Sequence, residues 1–137
     1  MISPKHLRKW VFPIQKQIVS IVHAKGLPFL LHSCGNLEAI MPELIDSVGI
    51  DAKHSFEDVI EPVKKFSALY GNRIAVIGGV DMDILARGTE DQVRRRTRQI
   101  LEACLPSQGY ILGSGNSIAN YIPPRNFLAM LDEGRKY

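Results

Sequence analysis

Little in this 137-residue sequence marks it as secreted, membrane-spanning or nucleic-acid-binding. Two cysteines, Cys34 and Cys104, are too few for the disulfide framework of a small extracellular domain. No apolar run approaches the roughly 20 residues that cross a bilayer. Residues 1–6 lead into a charged stretch rather than the apolar core of a signal peptide, so cytoplasm is the expected compartment. The 17 basic and 14 acidic residues leave a net charge of +3, and no aromatic residues interleave with the arginines to stack on bases. Nucleic acid is therefore not an expected partner. Linkers, low-complexity tracts and charge blocks are also missing, so residues 1–137 read as a single domain. The composition, 45% apolar and 23% charged, is that of a soluble globular fold and excludes disordered, collagen-like and coiled-coil chains.

What the sequence does have is alternation. Ser3 and Pro4 form a helix start, because serine accepts from first-turn amides and proline loses nothing at the first helical position. Apolar residues recur at Leu7, Trp10, Val11, Ile14, Ile18, Ile21 and Val22, a helical stripe that Pro13 should bend and Gly26 should end. His6 and His23 lie on this helix with no visible partner. Four βα units are expected to follow. Their strands are the apolar runs that end at His32, at His54, at Gly78-Gly79 and at Gly113. The helices lie at 37–48, at 59–69 with Gly71 as its stop, after the capping box of Thr89 and Gln92, and after Pro123-Pro124. Arg94, Arg95, Arg96 and Arg98 fall outside the stripe of Val93, Thr97, Ile100 and Leu101, which predicts a solvated outer face. Four parallel units fit either a flavodoxin-like sheet with few strands or half of a TIM barrel.

In either case the strand ends lie side by side, and they carry chemistry. The first ends in His32 and Cys34, the second in His54, the third in Gly78-Gly79-Val80-Asp81, the fourth in Gly113-Ser114-Gly115-Asn116. An imidazole and a thiolate two residues apart on an extended chain point to one side, which suits zinc. The same two residues also fit a hydrogen-bonded strand-end histidine and a small buried hydrophobe. Asp81 can face a ligand or cap the short helix after it. The loop from Gly113 to Ser117 resembles an anion nest, without the lysine pair of a P-loop. Cys104 falls on the inward face near the end of its helix, away from the strand ends. There it reads as core, out of disulfide reach of Cys34.

The runs Leu30-Leu31-His32-Ser33-Cys34-Gly35-Asn36, His54-Ser55-Phe56-Glu57-Asp58, Ile77-Gly78-Gly79-Val80-Asp81 and Gly109-Tyr110-Ile111-Leu112-Gly113-Ser114-Gly115-Asn116-Ser117 resemble, in order, the C-terminal half of the uroporphyrinogen decarboxylase superfamily. That superfamily includes the methylcobamide:coenzyme M methyltransferases, and the likeness covers essentially the whole chain. It implies four βα units, half of a TIM (βα)8 barrel, preceded by a long N-terminal helix.

In the methyltransferase branch, the resemblance implies that a pair matching His32 and Cys34 binds zinc with a later cysteine. The zinc activates a thiol that takes a methyl group from a corrinoid. Ser114 stands where that later cysteine is expected, and a neutral hydroxyl is a poor zinc ligand. Asp81, His54 or a residue of a complementary half then becomes the third ligand. In the decarboxylase branch a histidine occupies the loop position of Ser114, and the tetrapyrrole is gripped by residues of the N-terminal half. This chain matches the metal pair of the first branch and none of the catalytic set of the second.

The expectation is a uroporphyrinogen-decarboxylase-like protein whose mouth holds metal through His32 and Cys34. Its small-molecule substrate meets His54, Gly79, Asp81, Gly113, Ser114, Gly115 and Asn116. Metal-assisted methyl transfer to a thiol ranks ahead of uroporphyrinogen III decarboxylation in tetrapyrrole biosynthesis, with an inactive half-barrel as a third reading. Zinc and a corrinoid methyl donor are the implied cofactors, and a corrinoid protein a possible partner. Open sheet edges and an open inner face predict a homo-oligomer or a complementary half-barrel.

Overall fold

A computed structural model describes residues 2–107 and 109–137. The Ser3 hydroxyl accepts from the His6 amide at the start of α1 (Pro4–His6). A π-helical turn, Leu7–Val11, carries the chain into α2 (Phe12–His23). The wide turn falls where Pro13 withdraws a donor and crowds the preceding carbonyls, so the helix bends without breaking. Gly26, at φ +70°, takes the left-handed conformation that stops it. Phe12 and Val19 are the buried residues of α2, whereas Trp10, Ile14, Ile18 and Ile21 are exposed. Of the regular apolar stripe, Leu7 and Val11 pack against the core, and Trp10, Ile14, Ile18 and Ile21 face away from it. Both helix histidines have partners, against expectation: His23 Nε2 lies 2.7 Å from Asp51 Oδ2, and His6 Nδ1 lies 2.9 Å from Ser3 Oγ.

Four short strands, β1 (Leu30–His32), β2 (Ala52–His54), β3 (Ala75–Ile77) and β4 (Tyr110–Ile111), form one parallel sheet in the order β1-β2-β3-β4. A doubly wound sheet reverses its order at a switch point, whereas sequential order is that of a barrel wall. This decides between the two architectures in favour of half a barrel. β1 begins later than the apolar run because Pro28 has no amide to donate, and the Asp51 carboxylate takes the Phe29 amide at 2.6 Å. The register sets His32 beside His54, while Leu31, Lys53 and Val76 form the neighbouring row, buried under the helices.

The crossovers are α3 (Met41–Glu43) with a π turn at Leu44–Val48, then α4 (Val63–Tyr70), then α5 (Met82–Arg87) with α6 (Glu90–Cys104) and a 3-10 turn at Leu105–Ser107; α7 (Pro124–Gly134) follows β4. α4 is shorter than expected. Pro62 disfavours helix in the residue before it, which leaves Val59 and Ile60 outside and exposed. α6 matches the sequence reading closely, with the Thr89–Gln92 capping box formed and Val93, Thr97, Ile100, Leu101 and Cys104 buried. Each large aliphatic side chain buried on that face contributes about 1.5–3 kcal/mol.

The arginines of α6 correct the expectation of a solvated face in part, since Arg95 and Arg98 are exposed as expected while Arg94 and Arg96 are half-buried. Arg94 and Arg98 reach Asp132 and Glu133 on α7, and Arg96 reaches Asp58 at 2.5 Å. Long side chains at the edge of the buried stripe can lie along a neighbouring element and meet its carboxylates, and these do.

Candidate active site

β1 and β2 deliver three functional side chains to one point. His32 Nδ1 lies 2.8 Å from His54 Nδ1, and His54 Nε2 lies 3.2 Å from the Ser114 carbonyl oxygen. The carbonyl can only accept, so Nε2 of His54 carries the proton. Burial first, opposed by the bond to Ser114 and helped by the neighbouring His32 and Lys53, pushes the His54 pKa below the ordinary histidine value. Neutral His54 then presents a bare Nδ1, which accepts from Nδ1–H of His32. With its Nδ1–H engaged by His54, the uncharged form of the His32 ring has its lone pair on Nε2, 3.7 Å from Cys34 Sγ. The chain of bonds sets the tautomer of both rings.

Cys34 is exposed, unlike the small buried hydrophobe it could have been, and its sulfur accepts two hydrogen bonds. Ser55 Oγ donates at 3.2 Å and Asn116 Nδ2 at 3.5 Å. Cys104 is a buried free thiol in the core, its pKa raised by that burial. Lys53 and Ser55 were not among the candidate residues from sequence. Lysine inside a short strand reads as polar alternation, and nothing local signals that Ser55 takes φ +87°.

The remaining candidates organise the mouth. Asp81 caps α5: Oδ1 accepts from the Asp83 amide at 2.7 Å and Oδ2 from the Asp58 amide at 2.8 Å. Gly78, at φ +88°, lies so close to β2 and the β4 loop that a Cβ there would sit 2.3 Å from the Ser114 carbonyl oxygen and 2.9 Å from His54 Cδ2. Gly79, at φ +110°, is packed against Val63 in the same way. Gly113 accepts from the Val80 amide at 3.0 Å. The Gly115 amide donates to Val80 at 2.6 Å, and its carbonyl accepts from Phe56 at 2.9 Å, tying three mouth loops together. The Ser117 amide is taken by Asn116 Oδ1 and the Ser114 hydroxyl by the Asn116 carbonyl. The glycine-rich loop therefore uses the Gly115 and Ser117 amides internally and does not offer them to an anion.

At the mouth lies an open cleft of about 820 Å³, lined by Glu57, Asp81, Met82, Arg87, Asn116 and Tyr121 among others. Asn116 both lines this cleft and touches Cys34, so the sulfur is one residue from the space a ligand would fill. Arg87 is paired with Asp83 at 3.0 Å and is the one basic side chain among the lining residues, against the carboxylates of Glu57, Asp81 and Asp83.

A zinc site can be tested against these distances. A nitrogen at about 2.1 Å and a sulfur at about 2.3 Å from a tetrahedral zinc are about 3.6 Å apart, close to the observed separation of His32 Nε2 and Cys34 Sγ. The pair fits one edge of such a site. Among the described residues no group of three His, Cys, Asp or Glu side chains converges to hold a metal. Both nitrogens of His54 and both oxygens of Asp81 already carry the bonds given above.

A sequential parallel sheet with its polar strand ends on one rim defines half of a TIM-type barrel with a mouth site. Comparison with known proteins makes this specific. The family profile "Uroporphyrinogen decarboxylase (URO-D)" matches residues 1–137, and the chain belongs to that family. It is 28% identical over 117 residues to a uroporphyrinogen decarboxylase of Azoarcus sp. (strain BH72), covering 85% of this chain and 29% of that protein. A uroporphyrinogen decarboxylase of Synechococcus sp. (strain JA-3-3Ab) is 29% identical over 127 residues, 91% of this chain and 33% of that one. The chain thus spans about a third of the length of these curated relatives. Among solved structures, a methyltransferase from Methanosarcina mazei superposes with a TM-score of 0.81 at 25% identity, covering 99% of this chain and 38% of its own. Among the described residues, no helix is long and apolar enough to cross a membrane.

Proposed function

We propose that the mouth binds zinc through His32 and Cys34 and handles a thiol or a methylated small molecule, so that methyl transfer rather than decarboxylation is the chemistry. The observation that carries this reading is the 3.7 Å separation of a lone-pair-bearing imidazole nitrogen and an exposed sulfur. His54 would hold the His32 ring with Nε2 bare, the part that an outer hydrogen-bond partner plays for a metal-bound histidine. Ser55 and Asn116 both donate to the sulfur and would hold it in place at the mouth. When bound, zinc would lower the pKa of a substrate thiol and make it a nucleophile near neutral pH. Positions left free by the two ligands would take the substrate and a donor from a complementary half. A corrinoid methyl donor, carried by a partner protein, belongs to the same reading.

The cleft supports this ordering. Uroporphyrinogen is a polycarboxylate, and carboxylates at Glu57, Asp81 and Asp83, facing an arginine already paired with one of them, would repel it. Equilibrium dialysis tests the metal claim: about one zinc per chain is expected, falling to near zero in Cys34→Ala. No binding, or binding unchanged by the substitution, would overturn it. Release of carbon dioxide from uroporphyrinogen by the chain would favour decarboxylation instead.

For the macromolecular partner, a complementary half-barrel fits better than a second copy. α2 packs on the π turn after α3, while α6 packs between α4 and α7, so a helix flanks the sheet beyond β1 and another beyond β4. Two copies joined edge to edge would bring two helices to each seam, where a barrel has room for one. A partner with four strands and three crossovers closes the ring without that crowding.

A further inference from the structure

Among the described residues, one of the largest fully buried side chains is a lysine. Lys53 is 0% exposed in the middle of β2, with its ammonium 3.8 Å from the Phe56 ring centroid and 5.1 Å from that of Phe66. It makes an ion pair with the mostly buried Glu61 at 2.9 Å and donates a hydrogen bond to the Ser55 carbonyl at 2.6 Å. Burying this pair brings a desolvation cost that an apolar residue of similar volume would avoid. The third feature is Ser55 itself, the one non-glycine residue with positive φ among the described residues. A left-handed serine costs roughly 1–2 kcal/mol and persists where its surroundings enforce it.

The surroundings here are specific. The peptide between Ser55 and Phe56 is held at both ends, its oxygen by Lys53 Nζ and its nitrogen by the Gly115 carbonyl at 2.9 Å. With that plane fixed, the Ser55 side chain is directed to the Cys34 sulfur, 3.2 Å away. We infer that Lys53, anchored by Glu61, is a positioning residue for Cys34: it clamps the Ser55–Phe56 peptide so that Ser55 stays left-handed and keeps its hydroxyl on the sulfur. Glu61 serves to hold the ammonium in place. The inference concerns the sulfur that the proposed zinc site also uses, yet it stands whether or not a metal binds.

The test uses the full chain in a chelator. The rate of Cys34 alkylation by iodoacetamide is read by mass spectrometry at one pH and well below the melting temperature, with buried Cys104 as a control for folding. Ser55→Ala removes the hydroxyl and leaves the clamp; Lys53→Met with Glu61→Gln removes the clamp and leaves the hydroxyl. Both are expected to slow alkylation by about threefold or more, the scale of one lost hydrogen bond to the attacking sulfur. Combining them should add nothing, because they break the same contact. A purely structural lysine would lower the melting temperature and leave the alkylation rate unchanged; that result, or additive effects, overturns the inference. If the double variant does not fold, Glu61→Gln alone is expected to give an intermediate slowing. An unchanged rate there overturns the inference equally.

Discussion

Gly78 shows how much of the site depends on single atoms. The glycine lets β3 approach the His54 ring and the Ser114 carbonyl, and Tyr110 Oη donates to its carbonyl at 2.8 Å, fixing the turn. Gly78→Ala would combine a strained φ with a backbone clash, and a loss of about 2–4 kcal/mol in chemical denaturation is expected. A loss under about 0.5 kcal/mol, the range of a neutral surface change, would show that the turn relaxes freely. At this scale the sequence was informative where chemistry sits at strand ends: His32, Cys34 and His54 were legible because period-two alternation and apolar runs mark where strands stop. Lys53 and Ser55 were not, since their roles arise from contacts with Glu61 and Cys34 that local patterning does not encode. Asp81 was legible as one of two alternatives; its bond to the Asp83 amide is that of a cap, and its second bond ties the Asp58 loop to the same mouth.

α6 was the most readable element, because its capping box and apolar stripe agree, whereas α4 lost its first expected turn to Pro62. What the pattern of α6 did not reveal is the partner of its arginines. Glu133 on α7 is 2% exposed and lies 3.0 Å from Arg98 and 2.6 Å from Lys136, so α7 is bolted to α6 by a nearly buried carboxylate. The Lys136 hydrogen bond first, then Arg98 against the opposing effect of burial, holds the Glu133 pKa below the ordinary glutamate value. A carboxylate depressed in the folded state stabilises it above its unfolded pKa, and that stabilisation is lost as pH falls through the ordinary value toward the folded one. Stability measured by urea unfolding should therefore drop from about pH 5 downward, and Glu133→Gln should flatten that acid limb while lowering stability at pH 7. An acid limb of unchanged slope in the variant would assign the effect to other carboxylates.

For the molecule as a whole, strand order settles the architecture that the pattern left open between a small doubly wound sheet and a barrel wall. It also leaves two open edges and an outward stripe of Trp10, Ile14, Ile18 and Ile21. Alone, the chain is expected to associate through these surfaces without closing, so light scattering should give a mass that rises with concentration, reduced by Trp10→Asp with Ile14→Asp. A constant dimer mass would contradict the helix-crowding argument, and a stable monomer would contradict the reading of the stripe as an interface. The sequential sheet brings the ends of β1 and β2 onto one rim, and on that juxtaposition the functional account rests. Cobalt(II) titration followed by absorption tests it most directly: the account predicts a sulfur-to-cobalt charge-transfer band that saturates near one equivalent and disappears in both Cys34→Ala and His32→Ala. No such band in the wild-type chain, or one that survives either substitution, would contradict it.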